Sequence, residues 1–256
     1  MLKKEAGNMK LDYQRRRIYA INLKLGFKRA IKGIDYFRMM EYPLVFSQLE
    51  LKKKDTILDV GSSDSIFPIF LAYLGHKVYS IDIDPKVLSL KNYAKRIGDI
   101  DLTVDVQDVT KLRYPDNFFD KITAISTIEH VLPIANGDVR AMEEIARTLK
   151  NGGQAVITVP YNKRFMIEWS HKKINGHFSV IRKYHEPSIN ERLLKPSGLR
   201  LTNRIFFAEF VKFSKIWYKS PFCIFAFASP FFAKFFINFG VNIDRPLGVC
   251  LCFKKY

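Results

Sequence analysis

The order of segments between Thr56 and Asp82 constrains this chain more than any other feature. The apolar run Thr56-Ile57-Leu58-Asp59-Val60 breaks at Gly61, and Ser62-Ser63-Asp64-Ser65 leads into a helical stretch. A second apolar run, Lys77–Ile81, then ends on the acid Asp82. Strand, Gly-started turn, helix, strand and acid make the first βαβ unit of a nucleotide-binding sheet, with the acid placed to accept both hydroxyls of a ribose. The turn departs from the dinucleotide fingerprint. Ser63 and Ser65 stand where glycines would let the backbone close on a pyrophosphate at a helix N-terminus. Hydroxyls there suit a ligand with ribose and adenine but no phosphate.

The alternation continues along the chain. Strands are expected at Thr56–Val60, Lys77–Ile81, Leu102–Val106, Lys121–Ile125 and Ala155–Val159, with helices at Ile66–Leu74, Pro85–Arg96 and Asp138–Leu149. Asn151-Gly152-Gly153 reads as a helix stop and turn. Five strands separated by helices demand a parallel sheet covered on both faces. Upstream, residues 9–50 read as helical, with Tyr19, Leu23, Phe27, Ala30 and Ile34 forming an apolar stripe and a break at Tyr42-Pro43 before a short helix at Leu44–Leu51. Downstream, residues 161–187 show no clear period; Ser188–Leu194 suggests a short helix, and strands are expected at Leu199–Phe207 and Gly248–Phe253. The expected organisation is a basic helical cap over 1–54, a core over 55–205, a Phe-rich helical insertion over 206–247 and a final core strand over 248–256.

Charge follows these boundaries. The net charge is +17; residues 1–54 contribute +9 and residues 161–256 contribute +12, while residues 55–160 carry −4. Basic flanks around a mildly acidic core favour an anionic partner: nucleic acid, an acidic lipid surface or a phosphorylated substrate. Fifteen of the 22 phenylalanines lie in residues 161–256. The apolar run from Ser220 to Ala233 is 14 residues, too short to span a bilayer. Phe222, Phe225, Phe227, Phe231, Phe232 and Phe235 would either touch a membrane surface, pack as a lid over a pocket or form a dimer interface. Three cysteines in no metal spacing, and a start without an apolar leader, fit a cytoplasmic protein, with the inner face of the membrane as a place of peripheral contact.

The motifs taken together resemble those of class I S-adenosylmethionine-dependent methyltransferases, over about residues 40–256. The resemblance rests on Leu58-Asp59-Val60-Gly61, on Asp82 ending the second strand and Asp108 after the third. It extends to Ile128-Glu129-His130-Val131 after the fourth and to Ala146-Arg147-Thr148-Leu149-Lys150-Asn151-Gly152-Gly153 before the fifth. It implies a Rossmann-like α/β fold: a seven-stranded, mostly parallel sheet with helices on both faces and an antiparallel last strand. It also implies S-adenosyl-L-methionine as the cofactor. Asp59, Gly61 and Ser63 would face its methionine end, Asp82 its ribose, and Ile83, Asp108 and Val109 its adenine, with Ile125 a further cofactor-binding residue. The alternative for Asp108 is a turn cap.

The family usually has Gly where Ser63 and Ser65 stand. Some small-molecule relatives carry a Glu-x-x-Glu-His metal cluster at the fourth-strand loop; here the stretch is Ser126-Thr127-Ile128-Glu129-His130, the first carboxylate is missing, and no metal is expected. His130 has the place and the chemistry of a general base, or else a structural role. Tyr161, Asn162, Tyr184 and His185 are candidates for acceptor binding, or for packing and turns. The expected reaction is methyl transfer to a hydroxyl of a small-molecule, glycan or lipid-linked acceptor. The rivals are a nucleic-acid methyltransferase, a non-catalytic binding protein on the same fold and, least favoured by Ser63 and Ser65, a nicotinamide oxidoreductase.

Overall fold

A computed structural model describes residues 2–26, 36–174, 177–209, 237–240, 243 and 246–256. Helix α1 (Leu2–Lys24) and helix α2 (Tyr36–Gln48) precede the sheet. Then follow β1 (Thr56–Val60), α3 (Phe67–Tyr73), β2 (Lys77–Asp82), α4 (Ser89–Ile97), β3 (Leu102–Val106), β4 (Phe119–Ile125), α5 (Gly137–Thr148) and β5 (Leu149–Pro160). Strands β1 to β5 are parallel in the order β3-β2-β1-β4-β5. The last strand, β10 (Gly248–Lys254), is inserted antiparallel between β5 and β8 (Arg200–Glu209). The seven-strand, mostly parallel sheet with its antiparallel last strand is therefore present, and a short eighth strand, β9 (Ile237–Gly240), pairs along the edge of β8.

Burial on both faces explains why these strands are nearly continuous apolar runs. Successive residues point to opposite sides: Ile57, Val78 and Val156 meet α1 to α4 in one core, whereas Leu58, Ile81 and Ile157 meet α5 in the other.

Three sequence expectations need correction. Helix α2 passes through Pro43 instead of breaking there. Proline removes the bond that would have gone to the carbonyl of Met39, four residues back. The buried Arg15 of α1 takes over as donor, with Nε 3.5 Å from that oxygen. The buried stripe of α1 is also not the expected one. Leu11, Ile18, Ile21 and Leu25 face the core, while Leu23 is 54% exposed. Polar Gln14, Arg15 and Asn22 are buried along the same face, which hides its periodicity. Residues 161–187 contain a hairpin, β6 (Met166–Ile174) with β7 (His177–Lys183), where no periodicity is evident. Of the expected Phe-rich helical insertion over 206–247, residues 206–209 belong to β8 and residues 237–240 form β9. Its middle, including the run Ser220–Ala233, lies outside the described residues, as do Phe27, Ala30 and Ile34. Among the described residues no helix is long and apolar enough to cross a membrane.

One buried charge cluster fixes the hairpin to the core. Asp138 of α5 accepts from the Tyr184 hydroxyl at 2.9 Å and from Arg192 at 2.6 and 2.8 Å. Arg182, at the end of β7, is fully buried with Nε 3.6 Å from Asp138 and donates to the carbonyls of Glu129, Pro133 and Ile134. Removing the shared carboxylate would strand buried cations, so Asp138→Ala is expected to cost about 3–5 kcal/mol in urea denaturation. A loss below about 1 kcal/mol, the scale of a surface ion pair, would contradict this reading of the cluster.

Candidate active site

The carboxyl ends of β1, β2 and β4 meet at one edge of the sheet, where open α/β folds place their ligands. The turn after β1 is held from within. Asp59 is buried, and its carboxylate accepts from the hydroxyls of Ser62 and of Thr123 on β4, each at 2.6 Å. Burial raises the Asp59 carboxyl to about 6, against the lowering effect of those two hydroxyls. Gly61 has φ 75°, and a Cβ there would strike the side chain of Thr127. Thr127 in turn donates to the carbonyls of Val60 and Ile125, so the β1 and β4 loops are pressed together.

The two serines have distinct tasks. Ser63 adopts φ 45°, the left-handed region where the family's glycine would sit without strain, and its N–H donates to Asp82 at 2.8 Å. The Ser65 hydroxyl lies 2.7 Å from the Tyr42 hydroxyl of α2 and accepts from the N–H of Phe67, the first residue of α3. Asp82 is half-buried, and its second oxygen accepts from the N–H of Asp84 at 2.9 Å. Burial raises its pKa, with the backbone donors opposing. A carboxylate has about four lone-pair positions, so these two bonds leave acceptor capacity for hydroxyls. Beside it, Ile83 is 52% exposed, an apolar surface of the kind a purine ring would cover. These features fit an adenosine ligand.

At the end of β4, Ser126 also has a left-handed φ of 44°. Its hydroxyl and that of Thr158 on β5 both donate to the same oxygen of Glu41 from α2, and Arg38 donates to the other at 2.7 Å. Arg38 also donates to the carbonyl of Ile125 at 2.9 Å. Arg38, Glu41 and Tyr42 thus join the site from a helix that carries no recognisable motif. His130 follows in a single helical turn, Ile128–His130. Its Nδ1 lies 2.6 Å from the carbonyl of Val180 in β7, so Nδ1 carries the hydrogen and neutral His130 presents the Nε2 lone pair. Glu129 is buried: Oε1 lies 3.8 Å from His130 Nε2, and Oε2 has no hydrogen-bond partner among the described residues. Burial, aided by Glu41, pushes the Glu129 carboxyl up to about 8, while Arg38 and Arg182 pull it down.

Other sequence candidates have structural roles. Tyr184 is buried with its hydroxyl on Asp138, which corrects its assignment to the acceptor. His185 caps a helix starting at Glu186, its Nδ1 2.8 Å from the Ser188 hydroxyl, which is the turn role the sequence left open beside acceptor binding. Tyr161 is half-buried edge-to-face on Phe206, and Asn162 donates its backbone N–H to Tyr184. Asp108 is exposed and accepts from the N–H and hydroxyl of Thr110, forming a turn, while Val109 is buried beside it. No cluster of three or more His, Cys, Asp or Glu side chains suited to a metal occurs among the described residues.

Residues 58–157 match the family model of a methyltransferase domain. That segment runs from β1 through β5 and includes Asp59, Gly61, Asp82, Asp108 and His130. No curated protein matches the chain. Among solved structures, an S-adenosylmethionine-dependent methyltransferase from Methanosarcina mazei aligns with a TM-score of 0.57 at 16% identity, covering 84% of this chain and 97% of its own. One from Mesorhizobium loti aligns at 0.56 and 17% identity, covering 88% and 100%. The 1,6-didemethyltoxoflavin-N1-methyltransferase of Burkholderia thailandensis, solved with its substrate and S-adenosylhomocysteine, aligns at 0.55 and 15%, covering 84% and 76%. At these identities the likeness establishes the fold. The domain match and the fold together support S-adenosylmethionine as the cofactor.

Glu129 generates a test of the electrostatics. A carboxyl whose pKa rises on folding binds its proton more tightly in the native state, so its contribution to stability falls as pH climbs from the unfolded value towards about 8. The thermal midpoint of Glu129→Gln should therefore gain steadily on that of the wild type between pH 5 and pH 8. A difference that does not change with pH would contradict the buried, proton-holding carboxyl.

Proposed function

We propose that this chain is an S-adenosylmethionine-dependent methyltransferase that methylates a hydroxyl of a small-molecule, glycan or lipid-linked acceptor, with His130 as the general base. The orientation of His130 carries the reading of the catalytic role. A backbone carbonyl holds its Nδ1–H, and the tautomer so fixed presents Nε2 as a proton acceptor.

When bound, S-adenosylmethionine supplies an electrophilic methyl on a sulfonium, ready for displacement by an in-line nucleophile. The residues here have three tasks: to hold the adenosine, to align the acceptor and to take its proton. Asp82, with Ser63 and Asp84 fixing its carboxylate, would accept the ribose hydroxyls, and Ile83 would lie against the adenine. Asp108 and Val109 would border the purine edge. Asp59, whose oxygens are engaged by Ser62 and Thr123, would act by holding the turn that carries Gly61 and Ser63. His130 Nε2 would remove the hydroxyl proton as the oxygen attacks the methyl.

The acceptor side would be bounded by the hairpin that supplies the Val180 carbonyl. It exposes Met166, Ile167 and Trp169, surface suited to an acceptor with an apolar part. Tyr161 and Asn162, beside the start of the hairpin, remain candidates for contact with the acceptor. The basic flanks would add attraction for phosphate on an acceptor or for an anionic membrane surface.

Calorimetry should show binding of S-adenosylmethionine and S-adenosylhomocysteine but not of NAD, and Asp82→Ala should weaken that binding by at least roughly tenfold through loss of charged hydrogen bonds. With a labelled methyl donor and a small-molecule extract as acceptor source, His130→Gln should slow transfer by about 10²–10⁴-fold while leaving S-adenosylhomocysteine affinity unchanged. Wild-type rates in that variant would remove His130 from the mechanism, and binding of NAD alone would overturn the cofactor reading.

A further inference from the structure

The outer strand of the hairpin, β6, carries apolar side chains that the fold does not cover. Met166, Ile167 and Trp169 are 42%, 41% and 62% exposed. Side chains of directly opposed antiparallel residues share a face. Ile167 lies opposite Arg182 and Trp169 opposite Val180, so both belong to the face on which β7 is fully buried against the core. Met166, opposite Lys183, belongs to the other face. β6 thus projects past the covered part of the hairpin with apolar side chains bare on both of its sides.

Cations surround this edge. Residues 161–185 contain six basic side chains, Lys163, Arg164, Lys172, Lys173, Arg182 and Lys183, against one acid, Glu168. Glu168 is paired with Lys183 at 2.7 Å, and Arg182 belongs to the buried cluster around Asp138. Lys163 and Arg164, just before β6, are exposed and make no ion pair among the described residues.

A flat protein partner covers one face of a strand, whereas apolar side chains on both faces fit immersion in an interface. Tryptophan is the side chain that settles between headgroups and acyl chains, with its ring in the apolar layer and its N–H wet. Lysine and arginine beside it are attracted to an anionic leaflet. The aliphatic Met166 and Ile167 offer little to a nucleic acid, whose single strands stack their bases on aromatic rings.

We infer that the β6–β7 hairpin docks on the surface of an anionic lipid bilayer, with Met166, Ile167 and Trp169 in the interface and Lys163 and Arg164 against the headgroups. The Val180 carbonyl that holds His130 belongs to the same hairpin, so this contact brings the mouth of the site to the bilayer surface. The docking does not depend on the methyl-transfer reading.

The full chain should float with vesicles of phosphatidylcholine and about one-third phosphatidylglycerol, and float far less with phosphatidylcholine alone. Changing all three apolar residues, Met166→Ser, Ile167→Ser and Trp169→Ser, should lower partitioning roughly tenfold or more through lost apolar burial. Lys163→Gln with Arg164→Gln should lower it roughly 10- to 30-fold, the effect of two cations at such a surface. Trp217→Phe leaves Trp169 as the sole indole, and its emission should be quenched by lipid brominated along the acyl chain. A chain that does not float, a triple variant that floats like the wild type, or a floating chain with Trp169 unquenched overturns the inference. So does a wild type that ignores vesicles but shifts single-stranded RNA, or dimerises, through the same three residues. Should the triple variant show no cooperative thermal unfolding, the quenching of Trp169 decides alone. Calorimetry with S-adenosylmethionine is a separate readout, so failure to dock leaves the cofactor reading standing.

Discussion

The Asp59 carboxylate, buried at the end of β1 and held by the hydroxyls of Ser62 and Thr123, is the contact on which the site edge depends. A buried charge in a parallel sheet is costly unless hydrogen-bonded, and these two donors satisfy it. In doing so they tie the turn after β1 to β4. Gly61 then sits so close to Thr127 that no side chain fits, and Ser63 is carried into a left-handed conformation from which its N–H meets Asp82. One carboxylate thus sets the relative position of three strand ends.

A second buried carboxylate extends the same logic to the N-terminal region. Glu41 receives Ser126, Thr158 and Arg38, while its neighbour Tyr42 meets the Ser65 hydroxyl. Helix α2 is therefore more than a cover over the apolar face of the sheet. It reaches both the β1 and the β4 loops and brings a cation to an acidic edge. The hairpin does the corresponding work on the other side, where the Val180 carbonyl fixes the tautomer of His130 and Arg182 anchors β7 to the backbone around Glu129 and Pro133.

What was legible in the sequence follows from what is local. The five parallel strands are buried on both faces and so stand out as apolar runs, and the Gly61 turn and the acid Asp82 are fixed by their distances along the chain. Ile83 was a candidate for the adenine side because it adjoins Asp82, and it is exposed there. The remainder depends on partners far away in sequence. Helix α2 survives Pro43 because Arg15, from another helix, serves the carbonyl that proline leaves without its donor. Tyr184 looked like a ligand residue because Asp138, which holds its hydroxyl, is 46 positions away, and the capping contact of His185 with Ser188 was not evident because it lies in a helix too short to show a period. The hairpin was hidden because basic and polar residues break its apolar pattern, and because the buried Arg182 of β7 is satisfied by partners from distant segments. Arg38 and Glu41 belong to no motif, and only the folded chain brings them to the β4 end.

The central claim is that one adenosine-shaped pocket lies between the Gly61 turn, Asp82 and the β4 loop, with helix α2 as its remaining wall. A crystal structure of the full chain with S-adenosylhomocysteine tests it most directly. The account predicts the ribose hydroxyls on the Asp82 carboxylate, the adenine against Ile83 and the amino-acid end beside Gly61. Ligand bound elsewhere, or in this cleft with the ribose away from Asp82, would contradict it.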